Sequence, residues 1–383
     1  MNYSCVKIEC RYPFEKGTDT ETYERHLNAY YMLSGITICV IACVGIVGNI
    51  FTIIIFNSKE LKSTFHTFLV VLAIFDLGLL VLNLLVSALQ IHDIKTQGRT
   101  YPDSKWEPTA IWIKLYPKFI HPFKYIFWTA SEFFTVIISV DRYIAIKHPF
   151  SYQSWWNTNT CHEDVRNIQT IEGGTAKEKN RMIRIDWKRV FIYSISVFLV
   201  SLCYCVPVFF EYNSEEGKVV ESKLYGKTYG LIYYIALDSI FRCVLPVSIM
   251  FYTNLCIYKI AKKQPKALSE TGFQRRTQNM MLFGIVVLLM SVNLYRFCGN
   301  IYNTIGYYIY SDNQTLCCGL DMINEATFAI LQVLMTLNSS ANCIIYLLAS
   351  KKFRGAVIKY VEGLTFWIHT KHIRKEPKNY LSH

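Results

Sequence analysis

Apolar residues run along this sequence in long blocks, not in the alternating or one-sided patterns of soluble strands and helices. Seven blocks reach about 20 residues or more, and at about 1.5 Å per residue each can cross a hydrocarbon core about 30 Å thick. They are approximately Tyr30–Phe56, Thr67–Leu89, Phe119–Ile146, Val190–Phe210, Leu231–Ile260, Met280–Tyr302 and Ala326–Ser350. The third, fifth and sixth also contain ionisable residues. The pattern predicts an all-α membrane protein with a bundle of seven transmembrane helices.

The polar stretches on either side of the blocks complete the predicted organisation. Residues 1–29 form a segment before the bundle, residues 30–350 form the bundle, and residues 351–383 form a tail. The first segment lacks the apolar run of a cleavable signal, so the first block is predicted to stay as an anchor. At the start of the tail, Lys351–Val361 has Phe353, Val357 and Tyr360 on one side and lysines on the other. That pattern is typical of a short amphipathic helix lying on a membrane.

Composition and charge agree with a membrane protein and give it an orientation. Apolar residues make up 52% of the chain and charged residues only 18%, against about 25% charged in soluble proteins. Lys and Arg are about twice as frequent in the connectors that would be cytoplasmic if the amino terminus were outside. We therefore predict a multi-pass protein of the plasma membrane with an extracellular amino terminus. The net charge of +12 follows from this topology and does not indicate nucleic-acid binding.

The predicted outer segments contain sites of covalent modification. The sequons at Asn2 and Asn313 are predicted glycosylation sites. Of the 13 cysteines, those in the outer segments are Cys5, Cys10, Cys317 and Cys318. They form an even set whose pairing is open, and we favour a bridge from the amino-terminal segment to the last outer loop. The cysteine spacing does not predict a metal site.

Several polar residues lie inside the predicted helices, where each is costly to bury. Asp76 is in the middle of the second block, and Asn338 and Asn342 lie one helical turn apart in the seventh. With Ser131, these side chains can line a polar cavity whose oxygen atoms suit a sodium ion, the only cofactor we expect. The alternative is that they hold the helices together by hydrogen bonds. Both interpretations stay open.

The order of these polar residues resembles the rhodopsin class of G protein-coupled receptors. The matching positions are Gly48-Asn49, Leu72-Ala73 with Asp76, Asp141-Arg142-Tyr143 with Pro149, Pro246, Asn342 with Tyr346, and Phe353-Arg354. Within that class the chain is similar to the invertebrate FMRFamide-type neuropeptide receptors. The stretches that carry this narrower resemblance are 116–122, 207–211, Leu245-Pro246 with Asn254, and 338–346.

The resemblance implies a role for each matching residue. Arg142 would be held by Asp141 at rest and would face a heterotrimeric G protein after activation. Asp76, Asn338 and Asn342 would couple the ligand site to that movement, and Tyr346 would stabilise the active arrangement. The basic connector Lys259–Arg276 would contact the G protein and anionic lipid. No enzymatic activity is expected.

The sequence lacks three structural features that are usual in the rhodopsin class. Cys343 stands where a proline usually follows Asn342, and the sixth block contains no proline, which puts the usual hinge of that helix in doubt. The connectors after the second and fourth blocks contain no cysteine, so the usual disulfide to the third helix cannot form. A weakly coupled or decoy receptor is therefore an alternative.

Charged residues in the outer half of the predicted bundle bear on the ligand. They are Lys124, Asp238, Arg242 and Arg296. Asp238 and Arg242 can pair at a spacing of four, and Lys124 can reach Glu132 through water. If all these charges pair, they are structural; if not, a cationic pocket would favour an acidic ligand.

An Arg-containing amidated peptide, in contrast, would need an acidic partner in the receptor. The sequence offers Glu211, Asp238, Asp321 and Glu325. We expect an extracellular neuropeptide ligand. The protein itself would contact membrane lipid but not nucleic acid. A chemosensory receptor of the same fold is the nearest alternative. A transporter or channel is the alternative of another class, because buried charges can mark ion paths.

Overall fold

The computed structural model confirms the seven-helix architecture. It describes residues 19–58, 61, 63–97, 114–148, 152, 187–215, 218–222, 224, 227–263, 270–310 and 314–373. Seven described helices are long and apolar enough to cross a membrane, within 32–56, 64–89, 116–147, 187–210, 230–260, 277–302 and 326–349. These ranges agree with the seven apolar blocks because hydrophobic length alone defines a span.

The helices are numbered in chain order. They are α1 (Asp19–Phe56), α2 (Thr64–Gln97), α3 (a π-helical turn Tyr116–Ile120 continued by His121–Lys147), α4 (Trp187–Cys205, followed by the 3₁₀ segment Val206–Phe210), α5 (Lys227–Tyr229, the π-helical Gly230–Val244 and Leu245–Lys263), α6 (Glu270–Tyr310), α7 (Gln314–Ala349) and α8 (Lys351–Ile373). Between α4 and α5 an antiparallel hairpin pairs β1 (Tyr212–Glu215) with β2 (Lys218–Glu221). The predicted helix after the seventh span is α8, which continues beyond Val361 to Ile373.

Two of the bundle helices depart from regular α-helical geometry near prolines. Pro117 lies in the π-helical turn that opens α3, and Pro122 follows at the start of its α-helical part. In α5 the π-helical segment ends at Val244, two residues before Pro246. Proline has no N–H and cannot complete the α-helical ladder, and π-helical turns often accompany functional sites. The π-helical part of α5 contains Asp238 and Arg242.

The helices that lack the class prolines run without interruption. α6 is one α-helix from Glu270 to Tyr310, through Ser291–Leu294, where the class usually has an aromatic residue and a proline. α7 likewise continues through Cys343 to Ala349. The main hydrophobic core contains buried residues of all seven spans and of α8, with Phe68, Phe134 and Tyr346 fully buried.

The packing of α1 against α7 depends on glycine. A Cβ atom on Gly45 would lie 2.1 Å from Oγ of Ser340, and one on Gly48 would lie 3.0 Å from Cβ of Cys343. This close approach lets Ser340 Oγ donate to the carbonyl of Ile41 at 3.1 Å. It also lets Asn49 Nδ2 donate to the carbonyl of Ser339 at 2.9 Å. Small residues at a helix interface allow such backbone-level contact in membranes.

We therefore predict that Gly45→Ala destabilises the bundle. The added methyl group has no space beside Ser340, and overpacking of this kind costs about 1–3 kcal/mol. The measurement is the unfolding temperature of the purified protein in detergent. Gly355→Ala is the matched control, because a Cβ there meets nothing within 4 Å and alanine favours a helix over glycine by about 0.5–1 kcal/mol. Equal unfolding temperatures for the two variants would contradict the prediction.

Candidate functional site

The bundle has two ends, named here for the predicted orientation. The outer end is where α1, α3, α5 and α7 begin, and the inner end is where these four helices end. A cavity of about 60 Å³ lies toward the outer end, with room for roughly two water molecules. Its lining residues come from α3, α5, α6 and α7: Tyr125, Trp128, Tyr234, Asp238, Arg242, Tyr295, Arg296, Gly299, Asn300, Thr327, Phe328 and Leu331. Aromatic walls with a few convergent polar groups are typical of a ligand site.

Four charged side chains, here called the quartet, join three helices at the floor of this cavity. They are Glu132 of α3, Asp238 and Arg242 of α5, and Arg296 of α6. Arg242 donates from Nε to Glu132 Oε2 and from Nη1 to Asp238 Oδ1, both at 3.1 Å. Arg296 Nη1 donates to Glu132 Oε1 at 3.1 Å, and Arg296 Nε lies 3.4 Å from Asp238 Oδ2. The pair predicted for Asp238 and Arg242 is thus part of a larger network.

The surroundings of the quartet complete its hydrogen bonding. Asn300 Nδ2 donates to Asp238 Oδ2 at 3.3 Å, so each of the four carboxylate oxygens has a donor. The guanidinium carbons of Arg242 and Arg296 lie 3.9 and 4.8 Å from the Trp128 ring centroid. Among the described residues, Arg242 Nη2 is a buried donor without an acceptor. The quartet therefore has an unused hydrogen-bond donor, Arg242 Nη2, and no unused carboxylate oxygen.

The other residues considered for the ligand lie differently. Lys124 is buried on α3 outside the cavity lining, and no described residue pairs with it. A water bridge from Lys124 to Glu132 stays a prediction. Several predicted site residues lie outside the described part of the structure. They are the acidic ligand candidates Asp321 and Glu325, the cysteines Cys5, Cys10, Cys317 and Cys318, and the sequon residues Asn2 and Asn313.

Glu211, expected as a partner for a ligand Arg, is instead fully buried between protein side chains. Its Oε2 lies 3.0 Å from Nε2 of His121 on α3. Its Oε1 accepts from the hydroxyls of Tyr229 at 2.7 Å and Tyr234 at 2.5 Å on α5. Burial and the neighbouring Glu211 carboxylate raise the pKa of Tyr229, which keeps its proton available for donation. Direct ligand contact by Glu211 is not compatible with this arrangement.

Asp76 is at the centre of a second polar group, deeper in the bundle and fully buried. Its carboxylate accepts from Ser131 Oγ at 2.7 Å and from Asn342 Nδ2 at 2.6 Å, with a further hydrogen bond from Ser339. Asn338 makes none of these contacts and is only half-buried. Asn342 presents its nitrogen to Asp76 in this arrangement. A sodium ion at this position stays a prediction.

The third polar group lies at the inner end, around Asp141 and Arg142. Arg142 Nη2 lies 3.6 Å from Asp141 Oδ2, and Arg142 Nη1 donates to Gln278 Oε1 of α6 at 3.3 Å. The Tyr152 hydroxyl donates to both Asp141 oxygens at 3.1 and 3.0 Å. Arg189 of α4 lies 3.7 Å from Asp141. Arg142 is therefore tied to its own helix and to α6, while Asp141 has three partners.

Sequence reasoning did not identify Tyr152, Arg189 or Gln278. Tyr152 lies in a predicted connector, and burial beside Asp141 raises its pKa. Arg189 and Gln278 lie at the ends of apolar blocks, where a polar residue ordinarily marks the membrane surface. Both lie far along the chain from Asp141 and Arg142, with a separation of 136 residues between Arg142 and Gln278, so no local sequence pattern indicates these contacts.

Tyr143 and Tyr346, the two tyrosines that match the rhodopsin class, pack at the inner end. The Tyr143 hydroxyl accepts from Lys147 Nζ at 2.6 Å. The Tyr346 ring is fully buried against Phe56 and Phe353, with ring centroids 5.2 and 5.9 Å away. Its hydroxyl has no hydrogen-bond partner among the described residues. Tyr346 thus holds an unused donor inside the bundle, where α1, α7 and α8 meet.

Residues 48–162 match the family model of the seven-transmembrane receptors of the rhodopsin family. The match covers less than half of the chain and shows similarity to that family over this stretch. The matched residues include Asn49, Asp76, Ser131, Asp141 and Arg142, whereas Asn342, Arg189 and Gln278 of the same polar groups lie outside the match.

The chain is also similar to three individual receptors of invertebrates. The chain is 25% identical to the FMRFamide receptor of Drosophila melanogaster over 344 residues, which cover 85% of this chain and 53% of the relative. It is 23% identical to the FMRFamide peptide receptor frpr-18 of Caenorhabditis elegans, covering 85% of this chain and 68% of that receptor. It is 20% identical to a probable G-protein coupled receptor of C. elegans, frpr-1, covering 94% and 88%. The chain spans about half of the length of the Drosophila relative.

We predict that one substitution in the quartet destabilises the protein more than a charge-balanced pair of substitutions. Arg296→Gln leaves buried carboxylates without their partner and should cost about 3–5 kcal/mol. Adding Glu132→Gln should recover part of that loss, because the formal charge of the quartet returns to zero. The measurement is a double-mutant cycle on the unfolding temperature in detergent. Lys124→Gln is the control, since it removes a buried charge that no described residue pairs with and should not destabilise. Additive losses in the double variant would contradict the prediction.

Proposed function

We propose that this receptor binds an extracellular FMRFamide-type neuropeptide and transmits binding to a heterotrimeric G protein at the plasma membrane. The observation that carries the proposal is the pairing of two polar sites at opposite ends of one bundle. At the outer end is an aromatic cavity with a polar floor. At the inner end is Arg142, hydrogen-bonded to Gln278 of α6. The two FMRFamide receptors among the relatives supply the ligand class.

The cavity floor suits one part of such a peptide in particular. The carboxylates of the quartet are already paired with Arg242, Arg296 and Asn300, so a ligand cation would have to displace an internal partner. A terminal carboxamide carries a neutral carbonyl acceptor, and Arg242 Nη2 is a donor without an acceptor. A carboxylate would add net negative charge to a buried quartet of formal charge zero, which is costly. The expected contact is therefore between the peptide amide end and Arg242.

Transmission follows from differential binding at the two ends. The resting arrangement holds α6 to α3 through Gln278 and Arg142. A peptide that binds the active arrangement more tightly shifts the equilibrium toward it, and a G protein bound at the inner end does the same. Asp76 with Asn342 lies between the two ends and joins α2, α3 and α7. This group is suited to link the two sites.

We predict that Arg142→Ala leaves the amount of receptor at the cell surface near normal and abolishes G protein activation. The guanidinium is the group that the inner end would offer to the G protein, whereas its contacts within the bundle are few. Second-messenger production, normalised to surface receptor, measures the effect. Lys147→Ala is the control, because among the described residues this exposed lysine donates a hydrogen bond to Tyr143 alone, on its own helix. Undiminished signalling in Arg142→Ala would count against the receptor function.

A screen of neuropeptides, each supplied as an amide and as a free acid, tests the ligand. In cells with a promiscuous G protein we expect at least one amide to activate the receptor, with a potency about tenfold or more above its acid, as expected for the loss of a hydrogen bond to a charged group. The double variant Asp238→Asn/Arg242→Gln keeps the formal charge of the quartet at zero. It should reduce the ratio of amide potency to acid potency. If no peptide activates the receptor in either form, the proposed ligand class is wrong.

A further inference from the structure

We propose that Glu211 is the positioning residue that fixes the β1–β2 hairpin and the adjoining wall of the outer cavity, in place of a covalent tie to α3. Four side chains form this arrangement, here called the Glu211 clasp: Glu211, His121, Tyr229 and Tyr234. The hairpin follows Glu211 directly. The inference adds a specific residue to the ligand site of the proposed function.

The hairpin needs an anchor from elsewhere in the protein. It consists of two strands of four residues each, Tyr212–Glu215 and Lys218–Glu221. A two-stranded hairpin is at best marginally stable in water on its own. The sequence contains no cysteine in α3 or from Val206 to Tyr229, so no disulfide can join these two elements. A non-covalent contact must therefore supply the restraint.

Glu211 fastens both ends of the hairpin. Its own chain continues into β1, and its carbonyl accepts from the backbone N–H of Ser222, just after β2, at 2.8 Å. The Ser222 hydroxyl also donates to the carbonyl of Phe210. The base of the hairpin is thus closed at the residue whose side chain is held by α3 and α5.

The side chain of Glu211 then connects this base to two helices. The carboxylate reaches His121 on α3 and both Tyr229 and Tyr234 on α5. Tyr212 of β1 packs edge-on against His121, with ring centroids 4.9 Å apart. A buried carboxylate with three such partners is far more restrained than an exposed ion pair.

The Glu211 clasp also reaches the cavity. Tyr234 lines the cavity and donates to Glu211, and Tyr125, another lining residue, lies 5.0 Å from the His121 ring. Loss of the carboxylate would release the Tyr234 hydroxyl and the His121 ring together. Glu211 would therefore affect ligand affinity through Tyr234 without touching the ligand.

Hydrogen–deuterium exchange on the purified receptor in detergent tests the positioning role without any ligand. In Glu211→Ala we expect the amides of residues 212–215 and 218–221 to exchange about tenfold faster or more, while amides of α4 and α7 keep their rates. Glu211→Gln keeps an oxygen for the two tyrosines and should fall between. Tyr234→Phe removes one donor with the ring in place and serves as a milder variant if Glu211→Ala does not fold. Unchanged hairpin exchange in Glu211→Ala and in Tyr234→Phe would overturn the inference.

A peptide response measures the second consequence. Glu211→Gln should raise the half-maximal concentration of an activating peptide while the maximal response per surface receptor stays the same, because the residue acts on binding and not on the inner end. Glu362→Gln, at an exposed site on α8, is the control. A reduced maximal response with unchanged potency would overturn the positioning role. Failure to find any activating peptide would bear on the proposed function alone, because the exchange experiment needs none.

Discussion

The buried quartet imposes the strictest constraint on this bundle. Two guanidinium groups and two carboxylates lie almost fully buried in the predicted hydrocarbon region, where an unpaired charge is very costly. Each therefore needs its partners in place, and those partners come from α3, α5 and α6. The three helices can pack only in the register that brings Glu132, Asp238, Arg242 and Arg296 to one level. Apolar packing alone would tolerate many neighbouring registers, and the charges select one.

This constraint bears on how α6 can move. α6 is attached to its neighbours at two levels, through Arg296 in the quartet and through Gln278 at the inner end. The two residues are separated by about 27 Å along the axis, at 1.5 Å per residue. Because α6 is an uninterrupted helix with no proline at which to bend, release at the inner level in the proposed function would turn the whole helix as one rigid arm. The quartet is then the point about which that arm turns. The missing proline is thus compatible with movement, provided that the quartet holds.

The sequence was sufficient for the spans and for contacts between near neighbours. Hydrophobic length gives each helix, and a spacing of four residues gives the pair of Asp238 and Arg242. Contacts between segments far apart in the chain could not be predicted from the sequence. Glu132 and Arg296 are 164 residues apart, and Glu211 meets His121 across 90. Both glutamates look like ordinary charges until the fold brings their partners together. The sequence predicted Asn338 beside Asp76, whereas the structure places Ser339 there. Successive residues of a helix are about 100° apart around its axis, and residue spacing alone does not determine which of two neighbours faces Asp76.

The departures from the rhodopsin class have a common physical consequence. A disulfide and a proline act through covalent geometry and tolerate changes in nearby side chains. Where this chain lacks the outer-loop disulfide and the α6 proline, the described structure has the Glu211 clasp and the quartet instead. Networks of buried hydrogen bonds are specific only while every member is satisfied, since the low dielectric that strengthens each bond also penalises each unpaired group. The restraint on the hairpin and the register of α3, α5 and α6 therefore depend on individual side chains. A conservative change such as Glu to Gln at position 132 or 211 alters the protonation and donor pattern without changing volume. At these two positions a single substitution is expected to disturb the buried networks most.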